Sequence, residues 1–189
     1  MHSSTPPSDE NFVPLCVDLD GTLIKEDSLF LAVKSILLDR PFLGLRFLPW
    51  IWRGRAYFKK RIADHYGLGV DQVTFNQAVV QYIEHEKKLS RKIILVSAAN
   101  EQYARRLADH AGLFDQVLAS DEHLNLKGSQ KARELVRRYG SKGFDYMGNS
   151  ISDIPIWKNA RKAILVYRRP VELNLIKRWV NFDTIIQCV

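Results

Sequence analysis

Cysteine is scarce in this chain: 189 residues hold two, Cys16 and Cys188. Two thiols without ligand-type spacing exclude a disulfide framework and a cysteine-based zinc site. They point to a reducing compartment. Cys16 lies inside the apolar run Val13-Pro14-Leu15-Cys16-Val17 and is expected to pack as a small hydrophobe. Long apolar runs are also missing. The greasiest, Phe42 to Trp52, is interrupted by Arg46 and Pro49 and is too short to span a bilayer. The stretch Met1 to Asn11 is polar and has no basic region followed by an apolar one, so no secretory signal is expected. No internal repeat of about 20–50 residues is visible. These absences predict a cytoplasmic protein, at most peripheral to the inner face of a membrane.

What remains is ordinary globular composition, 46% hydrophobic and 26% charged, with a strong basic excess of +7 and a pI near 9.5. The length fits one domain with a sizeable insertion or a small cap. Excess positive charge favours acidic partners: phosphorylated substrates, anionic lipid or nucleic acid. Nucleic acid is the weakest of these, because no recognisable binding module is present.

Residues 1–11 read as a disordered tail and a buried strand follows at about 13–19. The stretch 27–89 has helical patterning and no good strand, broken by Pro41 and Pro49 and punctuated by Gly67 and Gly69. After Arg91-Lys92 strands and helices alternate. Strands are expected at Ile93–Val96, Gln116–Ala119, Phe144–Met147 and, last, Ala163–Tyr167. Between them, Asn100 can cap a helix running through His110 to Gly112. A second helix spans Ser129 to Tyr139 and stops at Gly140, and a short one covers Ser152 to Asn159. Alternation of this kind predicts an α/β fold with an open, mostly parallel sheet, whose ligands bind at the carboxyl ends of the strands.

Four signals fall at those ends. The first is Asp18-Leu19-Asp20-Gly21-Thr22, two carboxylates directly after a buried strand. One carboxylate can attack phosphorus and the other can handle a proton. Taken alone, the same letters also suit a calcium loop or a pair of solvated acids. The second is Ser97, whose hydroxyl and neighbouring backbone N–H groups, Ala98 included, can bind an oxyanion or simply cap a turn. The third is Lys127-Gly128-Ser129-Gln130-Lys131, opening a helix. Lys131, on its first turn, is the choice for pairing with Asp18 and a phosphoryl oxygen, and Lys127 is the alternative. The fourth is the loop from Gly148 to Asp153, where Asn149 and Asp153 offer the oxygen donors that suit magnesium.

Their order resembles the haloacid dehalogenase-like superfamily of phosphohydrolases, over about residues 13–167. The long gap between the first two motifs resembles the helical cap of phosphoserine-phosphatase-like members. A closer likeness is carried by Pro14 to Leu23, Leu113-Phe114-Asp115, Leu118 to Asp121, Asn125 to Gly128 and Phe144 to Ser150. These segments are similar to the domain of this superfamily fused ahead of membrane prenyltransferases of the ubiquinone-biosynthesis type.

The resemblance implies a Rossmann-like core over 12–26 and 90–189 with a helical cap over 27–89. It implies Asp18 as a nucleophile forming an aspartyl-phosphate and Asp20 as the acid and base. It also implies Mg²⁺ held by Asp18, Asp20, Asn149 and Asp153. Ser97, Ala98 and Lys131 would bind the phosphoryl group, with Gly21 and Thr22 shaping the loop. A second acid is needed to expel an alkoxide but not a halide, which favours phosphoryl transfer over dehalogenation. Asn149 departs from the family's usual aspartate and supplies a neutral oxygen instead.

Glu26 and Asp27 are expected either to touch substrate from the hinge or to be solvated. Arg46, Arg53, Arg55, Lys59, Lys60 and Arg61 interleave with Phe42, Phe47, Trp50, Trp52, Tyr57 and Phe58. They read as a cap with a basic outer face or as a patch for lipid phosphates. The expected partners are therefore a phosphorylated small molecule or lipid-linked substrate, with peripheral membrane or prenyltransferase association as a further expectation.

Overall fold

In the computed structural model, the residues described are 13–25, 42, 47, 49, 50, 52, 53, 62, 73–121 and 125–188. The expected tail, most of the expected cap, and Glu26 and Asp27 lie outside them. The chain order is β1 (Leu15–Val17), α1 (Gln77–Lys88), β2 (Ile93–Asn100), α2 (Glu101–Ala111), β3 (Gln116–Ser120), α3 (Ser129–Tyr139) and β4 (Asp145–Gly148). A 3₁₀ turn at Ile151–Asp153 follows, then α4 (Ile154–Trp157), β5 (Ala163–Tyr167), α5 (Pro170–Ile176) and β6 (Thr184–Gln187).

The six strands form one sheet in the order β3-β2-β1-β4-β5-β6, every pair parallel. Side chains alternate across it, as strand geometry requires. Leu15, Val17, Ile93, Leu95, Met147, Ile164 and Val166 enter one core layer with α1 and α2. Cys16, Ile94, Val96, Tyr146 and Leu165 enter the other with α3, α4 and α5. Both faces are covered, so these strands are apolar runs rather than alternating ones.

Local signals explain the helix limits. The Asn100 side chain accepts from the N–H groups of Gln102 and Tyr103, and Gly112 closes α2 at φ 64°. α3 runs from Ser129 to Tyr139 and ends at Gly140, as read from the sequence. Within the stretch expected to form the cap, α1 buries Val79 and Ile83 in the same layer as β1 and β2.

Three expectations are corrected. The sheet does not end at Ala163–Tyr167: α5 and the edge strand β6 follow it. β6 is four residues long with only alternate side chains partly covered, too weak a pattern to stand out. β1, expected to about residue 19, stops at Val17, so both Asp18 and Asp20 lie in the loop that follows it. β2 runs on to Asn100, with its register against β3 breaking after Ser97.

At the amino ends of β1 and β4 a buried clasp locks the sheet. Asp145 accepts from Arg161 Nε and Nη2, both at 2.9 Å, from Lys162 N–H at 3.0 Å, and from Arg91 Nη2. Arg91 also donates to the Val13 carbonyl and Glu86.

Candidate active site

β1 is the strand where the order reverses, with β2 on one side and β4 on the other. The crevice beyond its carboxyl end is where such sheets take ligands. Asp18 is the first residue past that end. Its N–H donates to the Met147 carbonyl on β4 at 2.9 Å, which anchors the loop. Gly21 then turns the chain at φ 75°, a conformation that favours glycine. Leu23 N–H returns to the Asp18 carbonyl, and Asn76 clamps the far side by donating to the Thr22 carbonyl.

Lys131 reaches this point from α3. Gly128, at φ 53° and ψ −122°, makes the break that lets the helix start there. Lys131 is 3% exposed, and its Nζ donates to Asp18 Oδ1 at 2.5 Å, to the Val96 carbonyl at 3.1 Å and to Tyr146 Oη at 3.1 Å. Lys127 is exposed. Of the two lysines, Lys131 is the one the fold pairs with Asp18.

Tyr146, on β4, is fully buried, and its hydroxyl donates to Asp153 Oδ1 at 3.1 Å. Asp153 Oδ2 accepts from Asn149 N–H, Ser150 N–H and the Ser150 hydroxyl. Asn149 is half-buried, and its side chain lies against Gly21: a Cβ on Gly21 would collide with Asn149 Nδ2. The first and fourth motifs therefore touch directly. Ser97 is buried and its oxygen accepts from Ala99 N–H at 2.9 Å. A hydroxyl accepting in this way keeps a proton for an oxyanion. Half-buried Ala98 follows where the strand register breaks. Thr22 Oγ1 is buried without a hydrogen-bond partner among the described residues.

Burial pushes the Asp18 carboxyl up to about 7 against the pull of Lys131, and Asp153 and Asp20 add to the rise. Burial acts on Lys131 in the opposite sense, but the carboxylates of Asp18, Asp153 and Asp20 outweigh it and hold the ammonium above its ordinary value. Among the described residues, three carboxylates thus bear on one ammonium, leaving the site with an excess of negative charge. Its donors are all oxygen, which fits a hard divalent cation. No three His, Cys, Asp or Glu side chains among the described residues form a metal cage alone. A cation here would draw on Asn149 and backbone oxygens beside the carboxylates.

Sequence reading missed Tyr146. The available signal was a tyrosine within the expected strand Phe144–Met147, since a buried phenol needs a partner.

A family model described as haloacid dehalogenase-like hydrolase matches residues 15–158. The uncharacterised protein y4nM of Sinorhizobium fredii is 34% identical over 154 residues; the match takes in 82% of this chain but 30% of that protein's own length. Among solved structures, a phospho-aspartyl intermediate analogue of phosphoserine phosphatase superposes with a TM-score of 0.58 at 12% identity, covering 92% of each chain. A predicted phosphoglycolate phosphatase of Haemophilus somnus gives 0.61 at 17% identity, covering 93% of this chain and 94% of that one. At these identities the structural likeness speaks for the fold.

Proposed function

The chain belongs to the haloacid dehalogenase-like hydrolase family, and we propose that it hydrolyses phosphomonoesters through an aspartyl-phosphate on Asp18. The observation that carries this reading is the buried Lys131–Asp18 pair at the carboxyl end of β1. A carboxylate oriented by an ammonium at a sheet switch point is a poised nucleophile. The names of the structural neighbours, a phosphoserine phosphatase caught as a phospho-aspartyl analogue among them, support the same chemistry.

In this reading an Asp18 oxygen attacks phosphorus, the ester P–O bond breaks, and Asp20 gives its proton to the departing alkoxide. Asp20 then takes a proton from water. The resulting hydroxide attacks the aspartyl-phosphate, releasing phosphate and restoring Asp18. Lys131 offsets charge on the transferring group, and Ser97 with Ala98 N–H binds one of its oxygens. Gly21 and Thr22 shape the loop after the nucleophile. Mg²⁺ would be held by Asp18, the Asp20 backbone carbonyl, Asn149 and Asp153. When bound, it neutralises the charge that sets a phosphate dianion against these carboxylates. The substrate class is a small phosphorylated metabolite or a lipid-linked phosphosugar.

Phosphate release from a broad panel of phosphomonoesters, with and without Mg²⁺, tests the reading beside Asp18→Asn. Metal-dependent release that disappears in the variant is expected. Release retained by Asp18→Asn refutes it.

One set of observations favours a second reading, a low-turnover docking or regulatory module resting on a membrane surface or a prenyltransferase. Val171, Leu175 and Trp179 are exposed at a spacing of four along α5 and the turn after it, among exposed Arg168, Arg169, Lys177 and Arg178. Phe42 and Trp52 are exposed as well. Apolar groups among cations suit an anionic lipid interface. No helix among the described residues is long and apolar enough to cross a membrane. Failure to sediment with anionic vesicles at low salt removes the membrane version.

A further inference from the structure

We propose that Tyr146 is a positioning residue of this site: its hydroxyl holds the Lys131 ammonium and ties the Asp18 side of the site to Asp153. The kinetic consequence rests on the phosphatase reading; the hydrogen-bond geometry stands apart from it.

An ammonium has three N–H donors and no acceptor. Lys131 directs them to Asp18 Oδ1, the Val96 carbonyl and Tyr146 Oη. A phenol has one proton, and toward an ammonium it can only accept. The Tyr146 proton therefore goes to Asp153 Oδ1. The chain of bonds has a single direction, from Lys131 through Tyr146 to Asp153.

The three groups come from separate segments: α3, β4 and the 3₁₀ turn after β4. The Tyr146 ring is fully buried, which fixes the direction of its hydroxyl, and the ring meets Trp157 edge-on at 6.3 Å as ordinary core packing. The other Asp153 oxygen is occupied by its own loop, through Asn149 and Ser150. Without the phenol oxygen one Lys131 proton has no acceptor among the described residues, and Asp153 Oδ1 loses the Tyr146 donor. Tyr146 contacts neither Asp18 nor a reacting atom in this chain of bonds. Its action is through Lys131 and Asp153.

The test uses the full chain with Tyr146→Phe, which removes one oxygen and keeps the ring. Trp157→Phe is the control that disturbs the same packing and leaves the hydroxyl. The first readout is the ¹⁵N-lysine ammonium signal of buried Lys131, assigned by its loss in Lys131→Met. It should shift or vanish in Tyr146→Phe and persist in Trp157→Phe. The second readout is p-nitrophenyl phosphate hydrolysis. In Tyr146→Phe, kcat should fall about tenfold, the effect of one hydrogen bond to a charged group. The half-saturating Mg²⁺ concentration should rise severalfold, with KM changing less than kcat. Trp157→Phe should lower Tm but leave kcat and Mg²⁺ dependence within about twofold. Adding Tyr146→Phe to Asp153→Asn should cost little beyond Asp153→Asn alone, since coupled residues are not additive. An unchanged Lys131 signal in Tyr146→Phe overturns the proposal, and so do fully additive losses. If the wild-type chain hydrolyses no phosphomonoester yet its Lys131 signal responds to Tyr146→Phe, the phosphatase reading falls and the positioning role stands.

Discussion

Replacing Lys131 with methionine removes one charge while keeping most of the side chain's length and volume. The structure places that charge 3% exposed, 2.5 Å from Asp18, which is itself 9% exposed. Breaking a buried pair by deleting one partner costs roughly 3–5 kcal/mol. A buried carboxylate that has lost its cation takes up a proton, which trims the cost to about 2–3 kcal/mol. Asp18→Asn is expected to cost less, about 1–2 kcal/mol, because the ammonium keeps the acceptors Val96 O and Tyr146 Oη and the nearby Asp153 and Asp20. The double variant has no buried charge left from this pair and should lose only about 1–2 kcal/mol. The singles and the double therefore differ from additivity by roughly 2 kcal/mol. Urea unfolding of all four proteins without added metal measures this. On activity, Lys131→Met should lose on the order of 10²–10³-fold, the scale for removing one preorganised donor. A double variant that loses the sum of the singles, to within about 0.5 kcal/mol, refutes the energetic argument.

Three further outcomes follow from other parts of the molecule. Asp145→Asn should destabilise by about 3 kcal/mol near neutrality, since it leaves Arg91 and Arg161 without their shared carboxylate. Burial alone would raise the Asp145 carboxyl, but Arg161 and Arg91 reverse this and hold it below the ordinary range. Its contribution is thus complete above the unfolded value of about 3.9 and is lost as pH falls through the folded one. Acid unfolding curves of variant and wild type should accordingly converge at low pH. Gly128→Ala forces a side chain into a backbone region at φ 53° and ψ −122°, and should cost about 1–3 kcal/mol of stability by thermal melting. Since Gly128 starts the helix that carries Lys131, phosphate release should fall as well. Asn149→Asp adds a carboxylate oxygen to a hard-cation donor set, so the Mg²⁺ concentration for half-maximal release should drop severalfold; an unchanged or higher value counts against Asn149 as a ligand.

Much of the core's local structure was legible before any coordinates. The run before Asp18, the Asn100 cap, the Ser129–Tyr139 helix with its Gly140 stop and the Ala163–Tyr167 strand are properties of a few neighbouring residues. Periodicity and capping act over that range, and they placed the four motifs at the carboxyl ends of a parallel sheet. The same reasoning went astray where local pattern is weak or misleading. β6 has four residues on a sheet edge, and the first strand, expected to reach about residue 19, ends at Val17.

Other features belong to the tertiary structure alone. The place of Lys131 on the first turn after Gly128 favours it over Lys127, but the pairing itself is tertiary: α3 brings Lys131 across 113 residues of chain to Asp18 and leaves Lys127 exposed. The Tyr146 bridge and the Asp145 clasp are likewise meetings of segments far apart in sequence. Sequence alone determined which residue types stand at the strand ends, because hydrophobic period and capping are local. Only the packed sheet decided which of them share a hydrogen bond, because that depends on strand order and on which helix covers which face.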